Sequence, residues 1–88
     1  MTGNTFDHAT LRALADEGNE QALDRLADLA DARDDLTELS ELLDEGSLQA
    51  GRLLTRRAVA QRDLIELQRL ADAGSPDAEA ALARLLAG

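Results

Sequence analysis

DLTELSELLDEGS, residues 35–47, holds one complete helix together with its start and stop signals. Asp35 stands three residues before Glu38. That is the spacing of a capping box, with aspartate in place of serine or threonine, and it offers an acceptor to N–H groups that the first helical turn leaves unpaired. Leu36, Leu39, Leu42 and Leu43 follow at helical spacing and gather on one face. Gly46 ends the helix, because glycine enters the left-handed conformation without a Cβ clash. Ser47 caps a second helix, with Ala50, Leu54 and Ala58 on its inner face and an end near Arg62.

A step of 28 residues carries this pattern onto the rest of the chain without an insertion or deletion. Leu11, Leu39 and Leu67 fall in register, as do Leu14, Leu42 and Leu70, and Gly18, Gly46 and Gly74. Ala22, Ala50 and Ala78 continue it, as do Leu26, Leu54 and Leu82. A fixed period of about 20–50 residues is the mark of stacked repeats. The flanking units use the same punctuation. Asp63 with Glu66 opens a helix that Gly74 closes, and Ser75 caps the next, with Pro76 at its first position. In the first unit Asp7 and Asn19 are the caps, and Phe6 is placed to staple onto Leu11. The expectation is six helices, over 7–17, 19–33, 35–45, 47–61, 63–73 and 75–87. They form repeats at 7–34, 35–62 and 63–88 of a single domain, after a flexible tail at 1–6. Gly51 falls on the inner face of the fourth helix, where glycine costs about 1 kcal/mol of helix propensity. Close approach of a neighbouring helix is the expected compensation.

Helix–turn–helix units in which DLTELSELLDEGS is followed by an A…LL…A helix, and then by DLIELQRLADAGSPDA, resemble tetratricopeptide and Sel1-like α-solenoid repeats, in a short acidic variant. The resemblance covers residues 7–88. It implies an all-α, right-handed α-solenoid of three stacked helix–turn–helix repeats acting as a protein–protein interaction module. The aromatic positions of the tetratricopeptide consensus are absent here, so no peptide-clamp residue is carried over.

The chain has 88 residues and a net charge of −9. All its basic side chains other than His8 are arginine. An acidic balance repels nucleic acid and anionic membrane and favours a basic partner where charge governs the encounter. The absence of cysteine excludes disulfides and thiolate chemistry. No apolar run reaches membrane-spanning length, and Met1-Thr2-Gly3-Asn4-Thr5 has no signal-peptide character. The expected location is the cytoplasm. Phe6 is the sole aromatic, few for a binding surface that would lean on tryptophan and tyrosine.

Arg52, Arg56, Arg57 and Arg62 crowd into the fourth helix. They read either as an anion site or, more simply, as partners of the preceding repeat. Register puts Arg52 opposite Asp24, Arg56 opposite Asp28 and Arg62 opposite Asp34, on helices about 8–10 Å apart. Glu41 and Arg69 form an offset pair of the same kind. Arg57 takes a position that is leucine in the other repeats, Leu29 and Leu85. It reads as a snorkelling stem or as a recognition residue. Asp16, Asp44 and Asp72 oppose the helix dipole at the ends of first helices, and capping of the following helix would compensate. His8 replaces Leu36 and Leu64 and is expected to be half-buried.

No catalytic dyad can be assembled beyond carboxylates and hydroxyls, so no enzyme activity, cofactor or metal is expected. The outward residues of the first helices, Ala13, Glu41, Asp44, Ile65, Arg69 and Asp72, are the expected partner-binding face, with Arg57 as a further contact. The partner is a protein or peptide, and a basic one where charge governs. The alternative is an acidic inhibitor, either immunity-type or a nucleic-acid mimic. The final helix carries an uncharged alanine surface, so residues 75–88 are the expected seat of a weak homodimer. In that reading Ala78, Ala81, Leu82, Leu85 and Leu86 pack inward.

Overall fold

A computed structural model describes residues 7–88 and contains α-helices and no strand among them. The helices are α1 (His8–Asp16), α2 (Glu20–Ala32), α3 (Leu36–Asp44), α4 (Leu48–Gln61), α5 (Leu64–Asp72) and α6 (Pro76–Ala87). Each begins one residue after its cap, and all six expected caps are in place. Asp35 Oδ1 accepts from the Glu38 amide and Asp63 Oδ1 from the Glu66 amide, both at 3.0 Å. Asn19, Ser47 and Ser75 accept from Ala22, Ala50 and Ala78. Asp7 Oδ1 accepts from the Thr10 amide at 2.8 Å, and this backbone hydrogen bond is the main cause that lowers the Asp7 pKa. The stabilisation of α1 from that cap is therefore complete above the ordinary carboxylate range. It is lost as the pH falls through the lowered pKa.

The turns follow one rule. After α3, the Ser47 amide donates to the Leu42 carbonyl and the Gly46 amide to the Leu43 carbonyl, the two bonds of a Schellman motif. Gly46 has φ +106°, so a side chain there would be strained. The same pair of bonds closes α1 and α5. Ser47 thus ends one helix with its amide and starts the next with its hydroxyl. At the joints after α2 and α4 the left-handed residue is not glycine but Asp34 (φ 59°) and Arg62 (φ 53°), one repeat apart.

Each first helix packs on the second helix of its own pair, and α3 and α5 also pack on the second helix before them. α4 lies against both α2 and α6, whereas α1, α3 and α5 never approach one another within 8 Å between Cα atoms. The first helices supply Leu11, Leu39, Leu42, Leu43, Leu67 and Leu70 to the core, and the second helices supply a mixture of alanine (Ala22, Ala27, Ala30, Ala50, Ala58, Ala78, Ala81) and leucine (Leu23, Leu26, Leu53, Leu54). The alanines on the second helices allow close approach between them. Gly51 marks a close approach: a Cβ there would lie 3.0 Å from Ser75 Oγ of the cap of α6. The close approach expected at this glycine is found.

Several tertiary expectations need correction. The Asp24–Arg52, Asp28–Arg56 and Asp34–Arg62 ladder does not form. Asp24 accepts from Ser47 Oγ (2.9 Å), Asp28 from Gln49 Nε2 (2.8 Å) and Asp34 from Arg57 Nη2 (2.7 Å). These partners are 21–23 residues apart in sequence, not a full repeat. Ser47, not Arg52, lies beside Asp24, and Gln49, not Arg56, beside Asp28, so residues equivalent in the repeat are not the ones that face each other. Arg69 does not reach Glu41 but closes on Glu66 of its own helix. Asp16, Asp44 and Asp72 do not cap the following helices, a task that Asn19, Ser47 and Ser75 perform. Local cations and donors compensate two of them, Arg12 for Asp16 and Gln68 for Asp72. His8 is exposed and hydrogen-bonds Glu38 at 3.0 Å. Ala78 and Ala81 pack inward and Leu82 partly so, but Leu85 and Leu86 are exposed, because none of the described helices covers them. The Phe6 staple and the tail at 1–6 lie outside the described residues.

Candidate functional site

Two surfaces merit attention, one on each side of the row of helices. The first carries the expected partner-binding residues. Ala13 sits on α1, Glu41 and Asp44 on α3, and Ile65, Arg69 and Asp72 on α5, and all six are exposed. Ile65, Arg69 and Asp72 stand at i, i+4 and i+7 and therefore share one stripe of α5. Ile65 is 84% exposed, the most exposed large apolar residue among those described. The structure brings Asp44 near Arg69, whose pKa is raised chiefly by its hydrogen bonds to Glu66 and less by the charge of Asp44. It does not bring the three stripes into backbone contact. Side chains bridge α1 to α3 instead: Arg12 Nη2 reaches both carboxylate oxygens of Glu45, at 2.7 and 2.6 Å. That hydrogen bonding is the main cause that raises the Arg12 pKa.

Arg57 is set apart from this face. Its Nε donates to Asp31 Oδ1 (2.8 Å), and its Nη2 donates to the Asp31 carbonyl (2.9 Å) and to Asp34 Oδ1 (2.7 Å). The bonds to Asp34 and then Asp31 raise its pKa. Arg57 thus clasps the C-terminal turn of α2 to α4, adding a second donor to the Asp31 carbonyl, which also accepts from the Asp34 amide. The left-handed Asp34 is part of the same clasp. Arg57→Ala should speed amide exchange in the last turn of α2 and leave α5 and α6 unchanged. Arg57→Lys should not restore protection, because a single ammonium lacks the fork that serves three acceptors. Equal exchange in wild type and both variants would show that the clasp carries no stability.

The second surface was only half legible in the sequence. Between α4 and α6 runs an open groove of about 480 Å³, lined by Arg52, Thr55, Arg56, Val59, Asp77, Ala80 and Arg84. Arg52 and Arg56 come from successive turns of α4 and Arg84 from α6, and all three are exposed. None of them has a carboxylate within 4.0 Å among the described residues, whereas Arg12, Arg33, Arg57 and Arg69 each do. Arg52 Nε donates to Gln49 Oε1 at 3.0 Å, which leaves its terminal nitrogens available. Arg84 was not grouped with Arg52 and Arg56 on the sequence alone. A signal was present, since Arg84 occupies the same register position as Arg56, one repeat later.

Among the described residues, no group of three histidine, aspartate or glutamate side chains is placed to hold a metal ion, and no helix is long and apolar enough to cross a membrane. Comparison with known proteins yields no relative: no protein-family model, curated protein or solved structure matches the chain.

Proposed function

We propose that the chain is a non-enzymatic protein–protein interaction module, a right-handed α-solenoid of three tetratricopeptide- or Sel1-like repeats working in the cytoplasm. The observation that carries this reading is the recurrence of one exposed stripe on α1, α3 and α5, with Ile65 standing out of it at 84% exposure. The recurrence of caps and turns at the same interval supports the repeat reading. Glu41, Asp44 and Asp72 suit a basic partner on this face. Arg12 and Arg69 interrupt the continuous negative strip that a nucleic-acid mimic would need. Exposed Leu86 and the alanine surface of α6 suit a weak homodimer through residues 75–88, which sedimentation over a wide concentration range reads directly.

A photo-crosslinking residue placed at Ile65 in cells tests the face. It should trap a discrete protein species, and Arg69→Glu or Asp72→Arg in the same chain should change the yield. The same residue at Arg25, exposed on α2 and outside both this face and residues 75–88, should trap little. Equal labelling from both positions would defeat the assignment of this face.

A further inference from the structure

The groove between α4 and α6 is an electrostatic anomaly. The chain has 18 acidic side chains and nine arginines, so acids are plentiful. Four of the nine arginines, Arg12, Arg33, Arg57 and Arg69, have one within 4.0 Å. Arg52, Arg56 and Arg84 nevertheless converge on one groove whose sole acid is Asp77. The carboxylates that register would have supplied, Asp24 and Asp28, are turned instead to Ser47 and Gln49. Gathered like charges destabilise a fold unless a counter-charge meets them. The floor beneath them is low: Val59 and Ala80 are small, and Thr55 is buried with its hydroxyl 3.5 Å from Ser75 Oγ.

We propose that this groove binds an acidic peptide segment in extended conformation, with alternate carboxylates paired to Arg52 and Arg56 and with Arg84 closing from the opposite wall. Spacing favours that occupant. Arg52 and Arg56 are one helical turn apart, about 6 Å along the axis. Carboxylates at i and i+2 of an extended strand project from one face about 6.6 Å apart. Each arginine can then take one carboxylate through two parallel N–H donors. A single small anion would engage one arginine and leave the others unmatched. A long polyanion would meet the negative field of the remaining chain as soon as it left the groove. A short acidic segment meets only the local positive field. The acidic first-helix face and this basic groove lie on different elements, so the site goes beyond the partner-binding face proposed above.

Fluorescence anisotropy with a labelled octapeptide of alternating aspartate and alanine is the direct test. The peptide should bind at low ionic strength and be released by salt, because exposed ion pairs are screened. Arg52→Glu with Arg56→Glu should weaken binding by about tenfold or more, and Arg84→Glu should weaken it as well. Arg25→Glu, on α2 and away from the groove, changes net charge as Arg84→Glu does and should leave binding unchanged. Circular dichroism of each variant confirms that the fold persists. The proposal is overturned if the peptide fails to bind at low salt or if Arg25→Glu and Arg84→Glu weaken it equally. Inorganic phosphate or single-stranded RNA displacing the peptide at lower concentration than unlabelled peptide would also overturn it. So would self-association of the wild type that the groove substitutions abolish, since the occupant would then be a second copy.

Discussion

Leu39→Ala should lower the unfolding free energy by about 3 kcal/mol. Leu39 is wholly buried on α3, which packs on both α2 and α4. Removing its isobutyl group leaves a cavity between three helices that cannot collapse without disturbing both contacts. A domain of this size holds only about 4–13 kcal/mol in total, so the loss is a large share. At about 4–8 °C per kcal/mol the midpoint should fall by at least 12 °C. Leu67→Ala should cost a similar amount, since Leu67 occupies the same register position one repeat later and is equally buried. Leu36→Ala, at the exposed start of the same helix, should cost under about 1 kcal/mol. Thermal and urea melts of the three variants separate these outcomes. A Leu39→Ala protein no weaker than Leu36→Ala would contradict the core described above.

Gly51→Leu should be nearly as damaging and should strike one joint. A Cβ at position 51 would stand 3.0 Å from Ser75 Oγ and 3.2 Å from Leu43 Cδ1. Leu43 can rotate away. Ser75 cannot withdraw freely, because its Oγ accepts the Ala78 amide that opens α6. Forcing extra carbons into a packed contact costs about 1–3 kcal/mol, and loss of a serine cap adds about 1 kcal/mol. The helix-propensity gain of about 1 kcal/mol offsets part of this. The net loss should be about 2 kcal/mol, with amide exchange rising in α6 before any other helix. Gly51→Ala should lie close to neutral, since its smaller clash opposes the same propensity gain. A Gly51→Leu protein as stable as wild type, with α6 still protected, would mean that α6 does not press on α4 at this residue.

Legibility in the sequence followed the reach of each interaction. Asp35 meets the Glu38 amide three residues away, and Ser47 meets Ala50 in the same manner. Such contacts depend on local spacing alone, and the caps, the glycine turns and the helix ends read true to within a residue or so. The leucine and alanine faces were legible for the same reason, because helical periodicity fixes which side chains share a side. Leu85 and Leu86 escaped that logic. Periodicity assigns them a face, but only a neighbouring helix can bury it, and no described helix packs over them.

The pairings between helices belong to the tertiary structure. The 28-residue register states which residues are equivalent, not which are adjacent, and adjacency depends on how far packed helices slide along each other. The packing of α4 on α2 gives the Asp24 carboxylate to Ser47 and not to Arg52. Arg57 reaches Asp31 and Asp34, and Arg52, Arg56 and Arg84 are left together around an open groove. Local chemistry along the chain therefore specified six capped helices and their apolar faces. The electrostatic map of the surface was set by the sliding and splay of those helices, because a charge finds its partner in space and not in sequence.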